Sequence, residues 1–556
     1  MKMHYKKILL GIALACAVTV SCDDKDYVEI NTDPDILGGI PPENQFLNAT
    51  ISVHSQDFEA YYDFYRRIMP WMQYVTPLTG NGESFTTGVG NFSYRYGRLY
   101  NGVGNALVDL EMLVKKMPVE EQPKYAQMLQ ISHILKAYYA FYVSDIYGSI
   151  VYSEGFQARY GGTLLPKYDD QQTLFNKLDG ELKDAVTALK ATQPVAQISL
   201  DAFDQYYGGN VQQWVKAANA LRVKIAMRML KRDETKAKSI ITEALSVAAD
   251  LMSSNSDGWV LETTSGFTSG GNWNPDGLRA TKPIVDFMIA KDDPRIDAFF
   301  APNSYSQANI NILIAAGKLA PGTTEGNRYV GSFTSPDAAA LPANITKYYT
   351  ARTHNSVSYD TLSLIQRRLF QPSFNSGTGS NFIPVITYAE FCFMRAELAA
   401  RAITTENAKE FYDKGVTASI QWYDEVAQAS ALTNYTALTG SEITDYLAMT
   451  DIAYDPAKGV EQIACQSYLN SFRQPAEGWA IWKRTGFPST TSVLALTDMK
   501  TNNVSLPIPR RAPLEVPTTS KPNYANVTAA YDAMAADPSW GQGPADAFGR
   551  VWWDKQ

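Results

Sequence analysis

The 556-residue chain has only four cysteines and four histidines. So few thiols exclude a fold stapled by disulfides. Past residue 21 the histidines are His54, His133 and His354, scattered at distances that give no metal-ligand spacing. HExxH, CxxC, GxSxG and P-loop motifs are missing, and Gly102-Val103-Gly104 lacks the third glycine of a dinucleotide fingerprint. EF-hand spacing is missing too, so no cofactor or metal is expected. Positive charge is in deficit, with a net −8, which argues against a nucleic-acid partner. No run beyond residue 22 is apolar enough to span a bilayer. Carboxylate pairs for glycoside hydrolysis stay open, because only their spatial separation identifies them.

What is present begins with Lys2, Lys6 and Lys7 ahead of an apolar run at residues 8–20. This reads as the n-region and h-region of an export signal and is too short to cross a membrane comfortably. Cys22 follows Thr19-Val20-Ser21, which resembles a lipoprotein processing site, although Thr19 stands where such sites usually carry Leu, Ile or Val. Cleavage there removes residues 1–21 and leaves Cys22 as the acylated N-terminus. Loss of the three lysines takes the charge from −8 to −11. Asp23-Asp24-Lys25-Asp26 then resembles the surface-export signals of Bacteroidota lipoproteins. Residues 22–45, polar and containing Pro34, Pro41 and Pro42, read as an extended lipidated tether. Cys392 and Cys465 are left as the only candidates for a bridge, and none is expected, since Cys392 sits in an apolar helix-like run.

Beyond the tether, helical periodicity dominates. Met128, Ile131, Leu135, Tyr138 and Tyr142 recur at spacings of three and four, as do Val211, Trp214, Ala218, Leu221 and Ile225. Leu174, Leu178, Leu182, Ala185 and Leu189 make another stripe. With residues 240–248 and Phe391, Met394 and Leu398, these predict antiparallel helices of a helical-repeat scaffold. Between them lie stretches rich in Gly, Ser, Asn, Pro and aromatics at 76–91, 253–277 and 303–343. Loops of that length commonly carry function.

A string of local patterns runs through the mature chain. Glu29-Ile30-Asn31-Thr32-Asp33-Pro34 comes first, then Tyr96, Tyr100, Asn101 and Asn105, then Asp145-Ile146-Tyr147-Gly148 with Val151-Tyr152. Pro166, Tyr168 and Asp169 follow, then Gln213-Trp214 with Ala218-Asn219-Ala220-Leu221-Arg222 and Met227-Arg228. Later come Asp293-Pro294-Arg295, Ala389-Glu390 with Arg395-Ala396-Glu397, Arg484-Thr485-Gly486-Phe487-Pro488, Ile508-Pro509-Arg510-Arg511 and the closing Trp552-Trp553-Asp554. In order and spacing these resemble the SusD/RagB family of nutrient-binding outer-membrane lipoproteins, in particular its starch-binding-like SusD subgroup. The bottom-up reading of the 484–488 and 509–515 stretches is structural: Gly and Pro fix turns, and Arg pairs with carboxylates inside the fold.

The resemblance implies a mainly α, SusD-like fold over residues 46–556, one helical domain in which tetratricopeptide-like helix pairs support an irregular, loop-rich ligand-binding half. It implies a non-enzymatic role on the cell surface, lipid-anchored to the outer membrane. There the protein binds oligosaccharide and delivers it to a SusC-like TonB-dependent transporter. A peptide-binding RagB-like importer subunit is the alternative, and a surface glycan hydrolase a further one. Sugar rings offer apolar C–H faces on which aromatic rings stack. Loop aromatics are therefore the ligand-binding candidates: Trp71, Tyr74, Tyr96, Trp259, Trp273 and Tyr305, with Asn101 and Arg98 as weaker polar companions.

Overall fold

The computed structural model describes residues 40–85, 92–349 and 351–556. Cys22 and the export signal lie outside the described residues. Helix α1 (Pro42–Ser52) starts on a proline, whose missing N–H costs nothing in a first turn. The chain is therefore helical from Pro42, inside the range expected to be tether up to residue 45. The same prolines that suggest an extended chain also open a helix.

A short helix α2 (Tyr94–Arg98) and a π-turn lead into α3 (Gly104–Lys116). The helical half then comprises α4 (Ala126–Tyr147), α5 (Gln171–Lys190), α6 (Val211–Met229) and α7 (Glu234–Ala244), which pack in succession. Later come the pair α8 (Tyr388–Ala400) with α9 (Ala408–Ala429) and the pair α10 (Gly459–Asn470) with α11 (Pro475–Thr485). Helix α12 (Tyr524–Ala535) lies near the C-terminus. The stripes at Leu174–Leu189 and Trp214–Ile225 are buried, as the period of three and four requires. Side-chain caps fix the starts. Asp170 accepts from the Thr173 amide at 2.9 Å, and Asn210 from Gln212 at 3.1 Å. Gly148 at φ 85° ends α4 and Gly486 at φ 81° ends α11, conformations that L side chains resist. The tetratricopeptide-like pairing is thus present.

Buried charges tie the helices together. Arg222 on α6 meets Asp179 on α5 at 2.7 Å, while Arg228 reaches Asp145 on α4 at 3.0 Å and Glu477 on α11 at 2.7 Å. Lys224 sits between Glu390 at 2.7 Å and Glu477 at 2.9 Å. Each partner offsets the desolvation of the other, and removal of one would leave a bare buried charge. The structural reading of the arginine motifs agrees with their partners: Arg484 pairs with Glu397, and Arg510 with Asp554 at 2.6 Å. Cys392 and Cys465 are buried and free.

The irregular half holds short strands. β1 (Val75–Thr76), β3 (Arg279–Ala280), β7 (Leu364–Ile365) and β4 (Phe300–Ala301) form a sheet in the order β1-β3-β7-β4. β2 (Trp259–Thr263) pairs antiparallel with β8 (Asn381–Ile386), and β5 (Arg352–His354) with β6 (Val357–Tyr359). Two of the presumed loops therefore contain regular structure. Strand β2 lies within 253–277, and a helix, Gln307–Ala315, lies within 303–343. One continuous buried core joins both halves, from Phe46 to Trp553.

Candidate functional site

Glu59–Ile68 forms a π-helix, an uncommon element that recurs at functional sites. Its polar and aromatic residues sort by face. Glu59 and Asp63 are buried beneath it, whereas Tyr61 and Tyr62 are part-exposed and Phe58 and Arg66 exposed. Glu59 accepts from Arg95 Nε at 3.0 Å and from the Tyr142 hydroxyl at 2.6 Å. Asp63 has no hydrogen-bond partner among the described residues, and burial, reinforced by Glu59, pushes its carboxyl well above the usual range.

Outside, Phe58 lies 5.4 Å from Tyr94 and 6.0 Å from Tyr62, each at 19° from parallel. Tyr62 and Tyr94 are 5.5 Å apart at 14°. Three nearly equal separations describe a triangular cluster of near-parallel rings, not a column. Burial raises the Tyr94 phenol, and Tyr62, Asp63 and Asp57 add to it, so it stays a neutral donor. Tyr61 stands edge-on to Tyr62 at 4.9 Å and carries the Arg66 guanidinium 4.6 Å over its ring.

Beside this cluster opens a depression of about 430 Å³, lined by Tyr61, Arg66, Arg67, Asn274, Asp276 and Leu278 among others. Arg67 is held by the carbonyls of Glu83 at 3.2 Å and Ser84 at 2.9 Å. The loop forming the far wall is strapped to the π-helix. The Tyr65 hydroxyl donates to the Trp273 carbonyl at 2.8 Å, and Asn272 donates to Asp57 at 2.7 Å. Gln371 holds the Gly270 carbonyl at 2.8 Å, and Arg367 pairs with Asp276. Flat apolar ring faces thus adjoin guanidinium, amide and carboxylate groups on a preformed surface. Such a surface can stack a polyol ring and hydrogen-bond its hydroxyls.

Three of the six sequence candidates are core residues instead. Trp71 is 2% exposed, packed on Trp479 at 5.3 Å, with its indole N–H donated to the Ser84 carbonyl at 2.7 Å. Tyr74 stacks on Tyr468 at 4.2 Å and donates to the Tyr468 carbonyl at 2.6 Å. Trp259 is enclosed by Tyr138 at 5.1 Å and Trp214 at 5.2 Å. A neighbouring Gly-rich stretch does not keep a large ring in water when the body offers it an apolar seat.

The other three are part-exposed and dispersed. Trp273 lies beside the π-helix and lines a cavity of about 100 Å³. Tyr96 lines a separate groove, and Tyr305 accepts from Arg352 at 2.8 Å at the β5–β6 hairpin. Of the companions, Arg98 is engaged by the Ser52 carbonyl at 3.0 Å, and Asn101 is exposed. The sequence candidates omit Phe58, Tyr62 and Tyr94. A readable signal for the first two was their spacing of four, with Arg66 four further on and the acidic pair Glu59 and Asp63 between. Among the described residues no group of three or more His, Cys, Asp or Glu side chains is placed to hold a metal ion. No helix among them is long and apolar enough to cross a membrane.

Solved structures share this architecture. A protein titled as chitin-binding matches with a TM-score of 0.70 at 21% identity, covering 93% of this chain and 100% of its own. A SusD homolog from Bacteroides fragilis matches with a TM-score of 0.64 at 19% identity, over 92% of this chain and 99% of its own. A chitin-binding SusD homolog from Flavobacterium johnsoniae gives 0.63 at 20%, over 93% and 99%. No curated protein matches the chain. At these identities the structures establish the fold. The family follows from a model described as starch-binding and associating with the outer membrane, which matches residues 40–513, so the chain belongs to the SusD-like family.

Proposed function

We propose that this protein captures oligosaccharide at the surface of the outer membrane, without chemically altering it, and passes it to a SusC-like TonB-dependent transporter. The observation that carries the reading is the cluster of near-parallel rings of Phe58, Tyr62 and Tyr94 beside the polar depression at Arg66 and Asn274. Stacking on such rings suits the C–H face of a sugar, and the charged rim suits its hydroxyls. The family description and two chitin-binding relatives support a glycan over a peptide. Trp273, strapped to the π-helix through its carbonyl, is a further contributor to this face. The lipid on Cys22 would anchor the protein, and the transporter supplies the route inward.

The test combines binding and product analysis. The mature chain is titrated calorimetrically with starch- and chitin-derived oligosaccharides and with peptides, and each mixture is then weighed by mass spectrometry. Saturable binding of an intact sugar supports the reading. Cleavage of any ligand makes the protein an enzyme, and binding confined to peptides makes it a peptide importer subunit.

A further inference from the structure

A second open groove, of about 810 Å³, lies between α4, α12 and the segment 513–522. Its walls include five tyrosines, Tyr96, Tyr147, Tyr168, Tyr524 and Tyr531. We propose that this groove is a second oligosaccharide-binding site, independent of the one on the π-helix. The proposal rests on the glycan reading above for its ligand class and on its own geometry for its location.

The two sites face different ways. Tyr94 belongs to the ring cluster and Tyr96 to the groove. Two residues along an α-helix turn the side chain through about 200°, so α2 presents one ring to each site.

The groove is preformed. Tyr147 is fixed by donating to the Phe92 carbonyl at 2.6 Å, and Tyr96 stands 5.2 Å from it, edge-on. Tyr531 packs on Trp540 at 6.0 Å. Asn523 donates to the Pro166 carbonyl at 2.9 Å, which ties the start of α12 to the loop ahead of α5. Pro513, Pro517 and Pro522 restrict the backbone of the opposite wall. Little ordering is left for a ligand to impose.

Its chemistry selects a neutral amphipathic ring. The tyrosines give apolar faces with hydroxyls at their edges, and a volume of this size suits a short oligosaccharide, since small-molecule sites run roughly 300–1,000 Å³. The charges at the rim, Lys521 and Glu515, lie 3.9 Å apart and cancel. An anionic or cationic ligand therefore has no net field to follow. A peptide added as a strand needs a row of free backbone N–H groups. Three prolines in ten residues deny it that edge along 513–522.

The experiment uses the full chain in detergent, with chitohexaose and maltohexaose as probes and a proline-rich peptide as the competing class. The protein is titrated as wild type, as Tyr62→Ala, as Tyr168→Ala/Tyr524→Ala and as Tyr524→Phe. Two saturable sites are expected for the sugar that binds. One should weaken about tenfold in Tyr62→Ala and the other about tenfold in Tyr168→Ala/Tyr524→Ala, with Tyr524→Phe close to wild type. Tyr168 and Tyr524 are part-exposed, so these variants keep the core intact. A single site lost only in Tyr62→Ala overturns the second site and leaves the first standing. Binding of the peptide alone in the groove also overturns it. No binding of either sugar by the wild type removes both readings.

Discussion

Phe58 and Tyr94 meet at 5.4 Å and 19° from parallel, one from the cap of the π-helix and one from the start of α2. Neither ring is buried, so their contact leaves apolar faces available to a ligand. Phe58→Ala and Tyr62→Ala should each weaken oligosaccharide binding about tenfold, the worth of a lost ring contact. Stability should fall by only about 0.5–1.5 kcal/mol, the worth of the ring contacts each side chain makes with its neighbours. Paired calorimetric titration and denaturant melts check both halves of this expectation.

Trp71→Ala should do the reverse. Its indole fills core space against Phe92 at 5.6 Å and Trp479 at 5.3 Å. Truncation should cost about 3–5 kcal/mol of stability through the cavity and the lost N–H bond. A shifted urea midpoint is the readout. An unchanged midpoint with lost sugar binding would return Trp71 to the ligand site.

The buried pair Asp293 and Arg295 makes a stability prediction of its own. They meet at 2.6 Å with no side-chain exposure on either, and Arg295 also reaches Gln466 at 2.8 Å and Ser419 at 3.1 Å. Arg295→Met leaves the Asp293 carboxylate bare and should cost about 3–5 kcal/mol. Arg295→Lys should recover only part of that, because an ammonium cannot span the same acceptors. Denaturant melts of the three proteins would show the order.

Lys483 supplies a pH dependence. Its ammonium has no hydrogen-bond partner among the described residues and lies 4.0 Å over Trp479 and 4.5 Å over Trp553. Burial lowers its pKa to about 8. In the unfolded chain the proton is held to about pH 10.4. Between these values the unfolded state binds more protons, so this group's contribution to stability rises with pH by an amount on the order of 3 kcal/mol. Below pH 8 both states are protonated and the folded state bears the full cost of the buried charge. Lys483→Met should therefore gain most over wild type at pH 7 and lose that advantage towards pH 10. Parallel stability curves for the two proteins would contradict this.

Much of the helical half was legible in the sequence. Stripes such as Leu174 to Leu189 repeat at the helical period, and each buries the predicted face. The pairing of β2 with β8 was not, because Trp259 meets Ile386 across a long stretch of chain and no local pattern encodes that register. The arginines of the family motifs were visible, but not that Arg228 would join Asp145 to Glu477. For the site, proximity to Gly-rich loops stood in for exposure. That stand-in fails at Trp71, Tyr74 and Trp259, where tertiary packing decides burial. It also passes over Phe58 and Tyr62, which repeat at a spacing of four in a helical stretch with no Gly-rich loop beside it.

Capture on the π-helix is tested most directly by a crystal structure of the protein soaked with the oligosaccharide that binds tightest in solution. A pyranose ring is expected stacked on the cluster of Phe58, Tyr62 and Tyr94, with hydroxyls bonded to groups of the Arg66 and Asn274 rim. A sugar bound tightly elsewhere, with that cluster bare, would contradict it.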